Sequence, residues 1–228
     1  MSEIFMHLAL SGDTWVLVVL LMASVVSIGV MIERARCFGR NRGDFAGLLD
    51  GFAACMAKGD IAGAGRLAEQ SPRVEARVAL AGLRALGKGL ATVEEEMASR
   101  WLREKKELEK YLIVLGTLGN NAPFIGLFGT VLGIIKAFND LAVTGQSGVS
   151  VVMAGVSSAL IATAFGILVA IPAVAANNYF VTRLKEIQTD SDILSRVVLG
   201  YLKEEKAHAD GDLVTRLVAA LREERVRF

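Results

Sequence analysis

The hydroxyls of Thr130, Ser158 and Thr163 are the side chains best placed to do chemistry in this chain. Each sits in a long uncharged stretch among small residues, where a hydroxyl can hydrogen-bond to water or help to coordinate a cation. None of them can exchange a proton near neutral pH. Ionisable groups inside a bilayer mark ion and proton paths, and neither stretch, Tyr111 to Ile135 or Leu141 to Thr182, holds an Asp, Glu, Lys, Arg or His. Such a chain conducts protons only with a carboxylate lent by another chain, or through water and hydroxyls. The alternative use of a Thr or Ser in such a helix is a bond back to its own i−4 carbonyl, and spacing leaves both uses open.

Small residues surround these hydroxyls. Gly126, Gly129 and Gly133 form one face of the second stretch, and Ser158, Ala162, Gly166 and Ala170 follow at i, i+4 spacing in the third. Small residues at such spacing let helix backbones approach closely within lipid, so helix packing is their first reading. Other chemistries find no support. The two histidines, His7 and His208, fall on opposite sides of the membrane in the topology below, and no HExxH, paired CxxC, phosphate loop or Ser-His-Asp ordering occurs. No metal, cofactor or enzymatic activity is expected.

The elements that hold these residues follow from the charge distribution. The chain has 228 residues, 53% hydrophobic and 21% charged, with a mean hydropathy of +0.47 and a net charge of +1. Disorder, collagen, a disulfide scaffold and a nucleic-acid binder are excluded by that balance and by two cysteines. Thr14 to Ile32 is a third uncharged stretch, and crossing about 30 Å of hydrocarbon takes about 20 apolar residues. The expected fold is an all-α integral membrane protein with three transmembrane helices, two of them long and extending into a cytoplasmic helical domain.

Of the 25 Lys and Arg residues, 15 lie in 33–110, nine in 182–228, and the other is Lys136. Basic residues stay on the cytoplasmic side. The chain therefore starts outside (1–14), crosses inward at 15–32, and forms a cytoplasmic loop and stalk at 33–110. It returns through 111–138, turns in a short outer loop at 139–148, crosses again at 149–181 and ends in a cytoplasmic tail at 182–228. The N-terminus lacks the basic n-region and small-x-small site of a cleaved signal, so the first span reads as a permanent anchor. Cys37 and Cys55 fall in the reducing compartment, where no disulfide is expected.

Within 33–110, Asp44 and Asp60 read as N-caps of helices over 44–58 and 61–70, with Gly59 just past the first. Ser71-Pro72 reads as the start of a third helix. Thr92 and Glu95 form a capping box, and nothing breaks the helix between Thr92 and Pro123, which predicts one long rod to about Phe138. The charge run Glu94–Lys110 reads as a solvated helix face or a partner surface. Leu213, Leu217 and Leu221, with Val214 and Val218, form an amphipathic stripe suited to subunit packing or an external partner.

The run Asn121-Ala-Pro-Phe-Ile-Gly-Leu-Phe-Gly-Thr-Val-Leu-Gly-Ile-Ile135, followed by Ala159-Leu-Ile-Ala-Thr-Ala-Phe-Gly and Ala170-Ile-Pro-Ala173, resembles the MotA/TolQ/ExbB proton-channel family, and its TolQ and ExbB branch more than MotA. The motifs cover about 110–182, and the three-span topology extends the likeness over most of the chain. The resemblance implies a pentameric ring in the bacterial inner membrane, with the N-terminus in the periplasm. The ring encloses the single-span helices of a dimeric ExbD/TolR-like partner whose Asp carries the proton. Proton flow then drives transport, envelope maintenance or gliding. Thr130 and Thr163 match pore-facing positions, and Pro172 matches an Ile-Pro signature; Pro123 and Pro172 are the expected kinks.

One departure stands out. The branch begins its third-span motif with Gly-Ile-Ala-Glu-Ala-Leu, and this chain reads Gly155-Val-Ser157-Ser158-Ala159-Leu160, with Ser158 at the glutamate's place. That substitution permits a second reading, a structural scaffold that keeps the ring and has lost conduction. A substrate transporter is disfavoured, because the two spans carry neither internal repeats nor charged binding groups.

Overall fold

The structure, a computed structural model, describes residues 14–144 and 149–225, apart from the side chains of 143, 144, 149, 151 and 205–225. Residues 1–13, residues 145–148 of the expected outer loop, and the side chains of the Leu213–Leu221 stripe lie outside the described residues. Every regular element among those described is helical: α1 (Thr14–Gly39), α2 (Phe45–Ala57), α3 (Ile61–Gln70), α4 (Val74–Arg84), a 3-10 turn (Leu86–Lys88), α5 (Leu90–Glu109), α6 (Leu112–Thr144) and α7 (Val149–Arg225). Three stretches, Thr14–Gly39, Leu90–Ala142 and Val152–Glu204, are long and apolar enough to cross a membrane. The chain is an all-α membrane protein.

It divides into two units. The first comprises residues up to Cys37 with Glu109–Arg183, the second Phe38–Leu108 with the chain from Leu184 onward. In the first unit α1, α6 and the start of α7 pack through Val16, Leu20, Ala122, Leu132, Val169 and Ala170. Val25, Ile113, Phe124, Met153 and Ile171 are each at least 65% exposed. So much outward apolar surface suits lipid or neighbouring helices, not water.

The rod expected from Thr92 to Phe138 is broken. α5 ends at Glu109, α6 begins at Leu112, and Tyr111 between them has φ +63°. A non-glycine residue there costs about 1–2 kcal/mol. The Arg34 guanidinium lies 5.8 Å and the Lys110 ammonium 5.1 Å from the Tyr111 ring centroid. Cation–π attraction of about 0.5–1 kcal/mol each offsets much of that strain.

The second unit is built by local signals and one long-range network. The Asp44 carboxylate accepts from the Ala46 and Gly47 amides, both at 3.0 Å, and Asp60 accepts from Gly63 at 2.7 Å. Gly59, with φ +67°, ends α2 in the left-handed region. The α4 start differs from the sequence reading. Arg73 is its N-cap and makes no side-chain capping bond, and the buried Asn41 instead accepts from the Val74 amide at 2.6 Å. Thr92 is no N-cap either: α5 begins at Leu90, and the Thr92 hydroxyl donates to the Lys88 carbonyl at 3.2 Å.

Beside that cap lies a buried charge cluster. Glu75 is fully buried and accepts from Arg73 Nη2 at 2.6 Å and Nε at 3.2 Å. Arg73 also donates to the Gly43 carbonyl at 2.8 Å and to Asp190 of α7 at 3.1 Å. One guanidinium thereby joins the α1–α2 loop, the α4 start and α7. Along α7, Leu184, Ile187, Ser191, Leu194 and Val198 are all buried, a three-and-four spacing that presents a narrow seam to the unit.

A second ion group crosses from α4 to α5. Arg77 grips Glu104 with two bonds, at 3.0 and 2.7 Å, and Arg100 adds a third at 2.5 Å. Burial pushes the Glu104 carboxyl up, but the bonds and charges of Arg77 and Arg100 outweigh it and hold the carboxyl below its ordinary value of 4.5. A carboxylate with a depressed native pKa stabilises the fold above its unfolded pKa, and this is lost as pH falls through the native value. Glu104→Gln should cost about 1–2 kcal/mol at pH 7, discounted because both guanidiniums are 38% exposed. In thermal unfolding of the full chain, the gap between wild type and variant should close as pH falls below about 4.5; a gap constant to pH 3 would contradict this.

Candidate ion pathway

The hydroxyls are positioned by an antiparallel seam between α6 and α7. Space at Gly116 is bounded by Asn177, at Gly119 by Val174, at Gly126 by Gly166, at Gly129 by Ala162, at Gly133 by Ala159, and at Gly155 by Ala137. From Gly116 to Ala137 the seam runs about 32 Å at 1.5 Å per residue, the thickness of the hydrocarbon layer. Its closest backbone-to-backbone approach is Gly126 against Gly166. A β-carbon at Gly126 would lie 2.6 Å from the Ala162 carbonyl oxygen, and one at Gly166 would lie 2.6 Å from that of Ala122.

Backbone atoms cannot step aside, so Gly126→Leu should separate the helices. At Gly129 the obstacles are side chains, Ala162 Cβ and Val16 Cγ1 at 2.9 Å. Gly129→Leu should disrupt packing of the second span less than Gly126→Leu, with both lowering thermal stability. Overpacking of this kind costs about 1–3 kcal/mol or more. An unchanged melting temperature in both variants would contradict the seam.

Because the backbones are close, Thr130 of α6 meets Thr163 of α7 directly, oxygen to oxygen. Thr130 is 8% exposed, while Thr163 is half-buried. Two carbonyls complete the cluster: Thr130 Oγ1 donates to Gly126 O at 3.2 Å, its own i−4 carbonyl, or to Ala159 O at 3.4 Å across the seam. Each hydroxyl has a single proton. If Thr130 donates to a carbonyl, Thr163 donates to Thr130. If Thr130 donates to Thr163, the Thr163 proton turns toward the more accessible side. Rotating two O–H bonds thus moves a donor from inside the helix pair to its surface without ionising either group.

The structure brings Thr130 and Thr163 together and leaves Ser158 apart, exposed on α7. The seam passes through Ala159 in place of Ser158, so the expected Ser158–Ala162–Gly166–Ala170 face is replaced at its N-terminal end. Pro123 and Pro172 both lie inside helices, where each deprives the i−4 carbonyl of a partner. The Gly126 carbonyl is the i−4 acceptor that the sequence reading allowed. The one participant that escaped it is the Ala159 carbonyl across the seam, for which the only signal was the small residue that exposes its oxygen. Among the described residues no group of three or more His, Cys, Asp or Glu is arranged to hold a metal.

Residues 70–192, more than half of the chain, match the family described as the MotA/TolQ/ExbB proton channel family. Among individual relatives, the Tol-Pal system protein TolQ of Pseudomonas aeruginosa is 48% identical over 81 residues, 36% of this chain and 35% of that protein. The biopolymer transport protein ExbB of Pseudomonas putida is 44% identical over 87 residues, 38% of this chain and 26% of its own. ExbB of Aquifex aeolicus is 42% identical over 82 residues, 36% of this chain and 55% of its own. The matches therefore span from about a quarter to just over half of these relatives' lengths.

Proposed function

The chain belongs to the MotA/TolQ/ExbB proton channel family, on its TolQ/ExbB side, and from that premise we propose that it is a ring subunit of an ion-driven motor in the bacterial inner membrane. Several copies, five by family likeness, surround a dimeric, single-span ExbD/TolR-like partner. A carboxylate of that partner carries the proton, since the spans of this chain have none. The basic segments 33–110 and 182–228 face the cytoplasm, and the N-terminus faces the periplasm.

The observation that carries this reading is the Thr130–Thr163 pair with its two carbonyls, set in an uncharged seam as thick as the hydrocarbon layer. In that low-dielectric setting a reversible donor-acceptor pair gives a moving proton or hydrated ion a polar surface, while the glycine contacts keep the helix pair stiff. Each charge crossing 100 mV releases about 2.3 kcal/mol. Several charges per step can turn the partner against a rigid ring. The output is transport, envelope maintenance or gliding.

The experiment is native mass spectrometry of the gently solubilised complex, purified through a tag on this chain. A ring with two copies of a single-span, Asp-bearing protein supports the motor, and a monomer contradicts it. Ser158, at the place of the branch's glutamate, favours one other reading, a scaffold of the same architecture that does not conduct.

A further inference from the structure

We propose that the second unit holds a binding site for a small phosphate-type oxyanion, between the end of α4 and the side of α5. A cavity of about 250 Å³ there is lined by Arg84, Lys88, Glu96, Ser99, Arg100 and Arg103, besides two alanines. Four cations face one carboxylate. Like charges gathered in a concavity repel one another, and an anion between them removes that repulsion.

Arg84 pairs with Glu69 at 3.1 Å on the exposed surface and Arg100 with the largely buried Glu104 at 2.5 Å, and neither carboxylate lines the cavity. Lys88 and Arg103 have no ion pair among the described residues. The Arg100 side chain is 38% exposed although its Nε is buried, so its outer guanidinium N–H groups are the ones an oxyanion in the cavity can meet.

Complementing the carbonyl end of α4 would account for Arg84 and Lys88. It leaves Arg100 and Arg103 of α5 unexplained. Guanidiniums bind phosphate oxygens through paired N–H bonds, and the Ser99 hydroxyl can donate as well. The volume lies below the roughly 300–1,000 Å³ of small-molecule sites, which selects a phosphate or diphosphate group over a whole nucleotide. Free diphosphate and the phosphate of an anionic lipid headgroup share this chemistry.

The test titrates the full-length solubilised protein with inorganic diphosphate by calorimetry at fixed ionic strength. Saturable binding is expected, weakened about tenfold or more in the Lys88→Gln/Arg103→Gln double variant. Arg100→Lys keeps the charge, loses the planar guanidinium fork, and should weaken binding several-fold; it serves equally if the double variant proves unstable. Native mass spectrometry separates the sources. One phosphatidylglycerol per chain, displaced by diphosphate and absent from the variants, identifies a headgroup; diphosphate binding with no change in bound lipid identifies the free anion. Absence of saturable diphosphate binding, or binding unchanged in both variants, overturns the site.

Discussion

Replacing Thr163 by Val should abolish most ion flow through the assembled complex while leaving the ring intact. Valine keeps the volume and removes the hydroxyl that meets Thr130. The stability cost is small, because interhelical polar contacts in membranes are worth about 0.6 kcal/mol on average and rarely exceed 1.7. The flux cost is larger: losing one polar step that contributes 1.4 kcal/mol to crossing slows it about tenfold. Thr163→Ser retains the hydroxyl and should retain most of the flux. Proton uptake by proteoliposomes containing the co-purified complex reads all three proteins. Wild-type flux in Thr163→Val, at normal expression and oligomer mass, would remove the hydroxyl pair from the pathway.

The largest stability effect is expected from Arg73→Met in the second unit. Glu75 is fully buried, and its carboxylate is satisfied chiefly by the Arg73 fork, with Asn41 Nδ2 at 3.5 Å as a distant third donor. Removing one partner of a buried pair strands the other charge and costs about 3–5 kcal/mol. The same change also removes the Arg73 bonds to Asp190 and to the Gly43 carbonyl. Adding Glu75→Gln to Arg73→Met should recover part of the loss, since the double variant no longer buries an uncompensated charge; such a cycle measures their coupling. Thermal or denaturant unfolding of the full chain provides the readout. A melting temperature within a degree of wild type for Arg73→Met would show that the cluster contributes little.

These two sites differ in how far the sequence announces them. Asp44, Gly59 and Asp60 act within three residues of themselves, so their caps are readable in one dimension. The three apolar spans are equally plain, because bilayer thickness sets their length. Asn41 caps α4 from 33 residues away, and no local pattern signals it. Arg73 and Glu75 look like surface charges until folding buries them beside the half-buried Asp190. The break at Tyr111 is hidden for another reason. Neither glycine nor proline marks it, and its left-handed backbone is held by cations from Arg34 and Lys110.

In the membrane unit the hydroxyls were legible and the seam only partly so. A strict i, i+4 stripe drifts by about 40° per step around a helix with 3.6 residues per turn. A straight contact line must therefore alternate steps of three and four, as Gly155, Ala159, Ala162 and Gly166 do. Extending the stripe through Ser158 placed that residue in the contact; one position along, Ala159 fits between the backbones. Ser158 is left on an outward surface, where its hydroxyl can still hydrogen-bond but cannot replace a carboxylate in proton exchange.

The difference between a motor subunit and a silent scaffold is therefore ion flow itself. Proteoliposomes carrying the purified complex of this chain with its single-span partner should acidify under an imposed inward potential. The same complex with the partner's transmembrane Asp changed to Asn should not. Flux in the first and none in the second establishes that this ring conducts with a borrowed carboxylate. No flux in either, from complexes of intact mass, would contradict the channel and leave the scaffold.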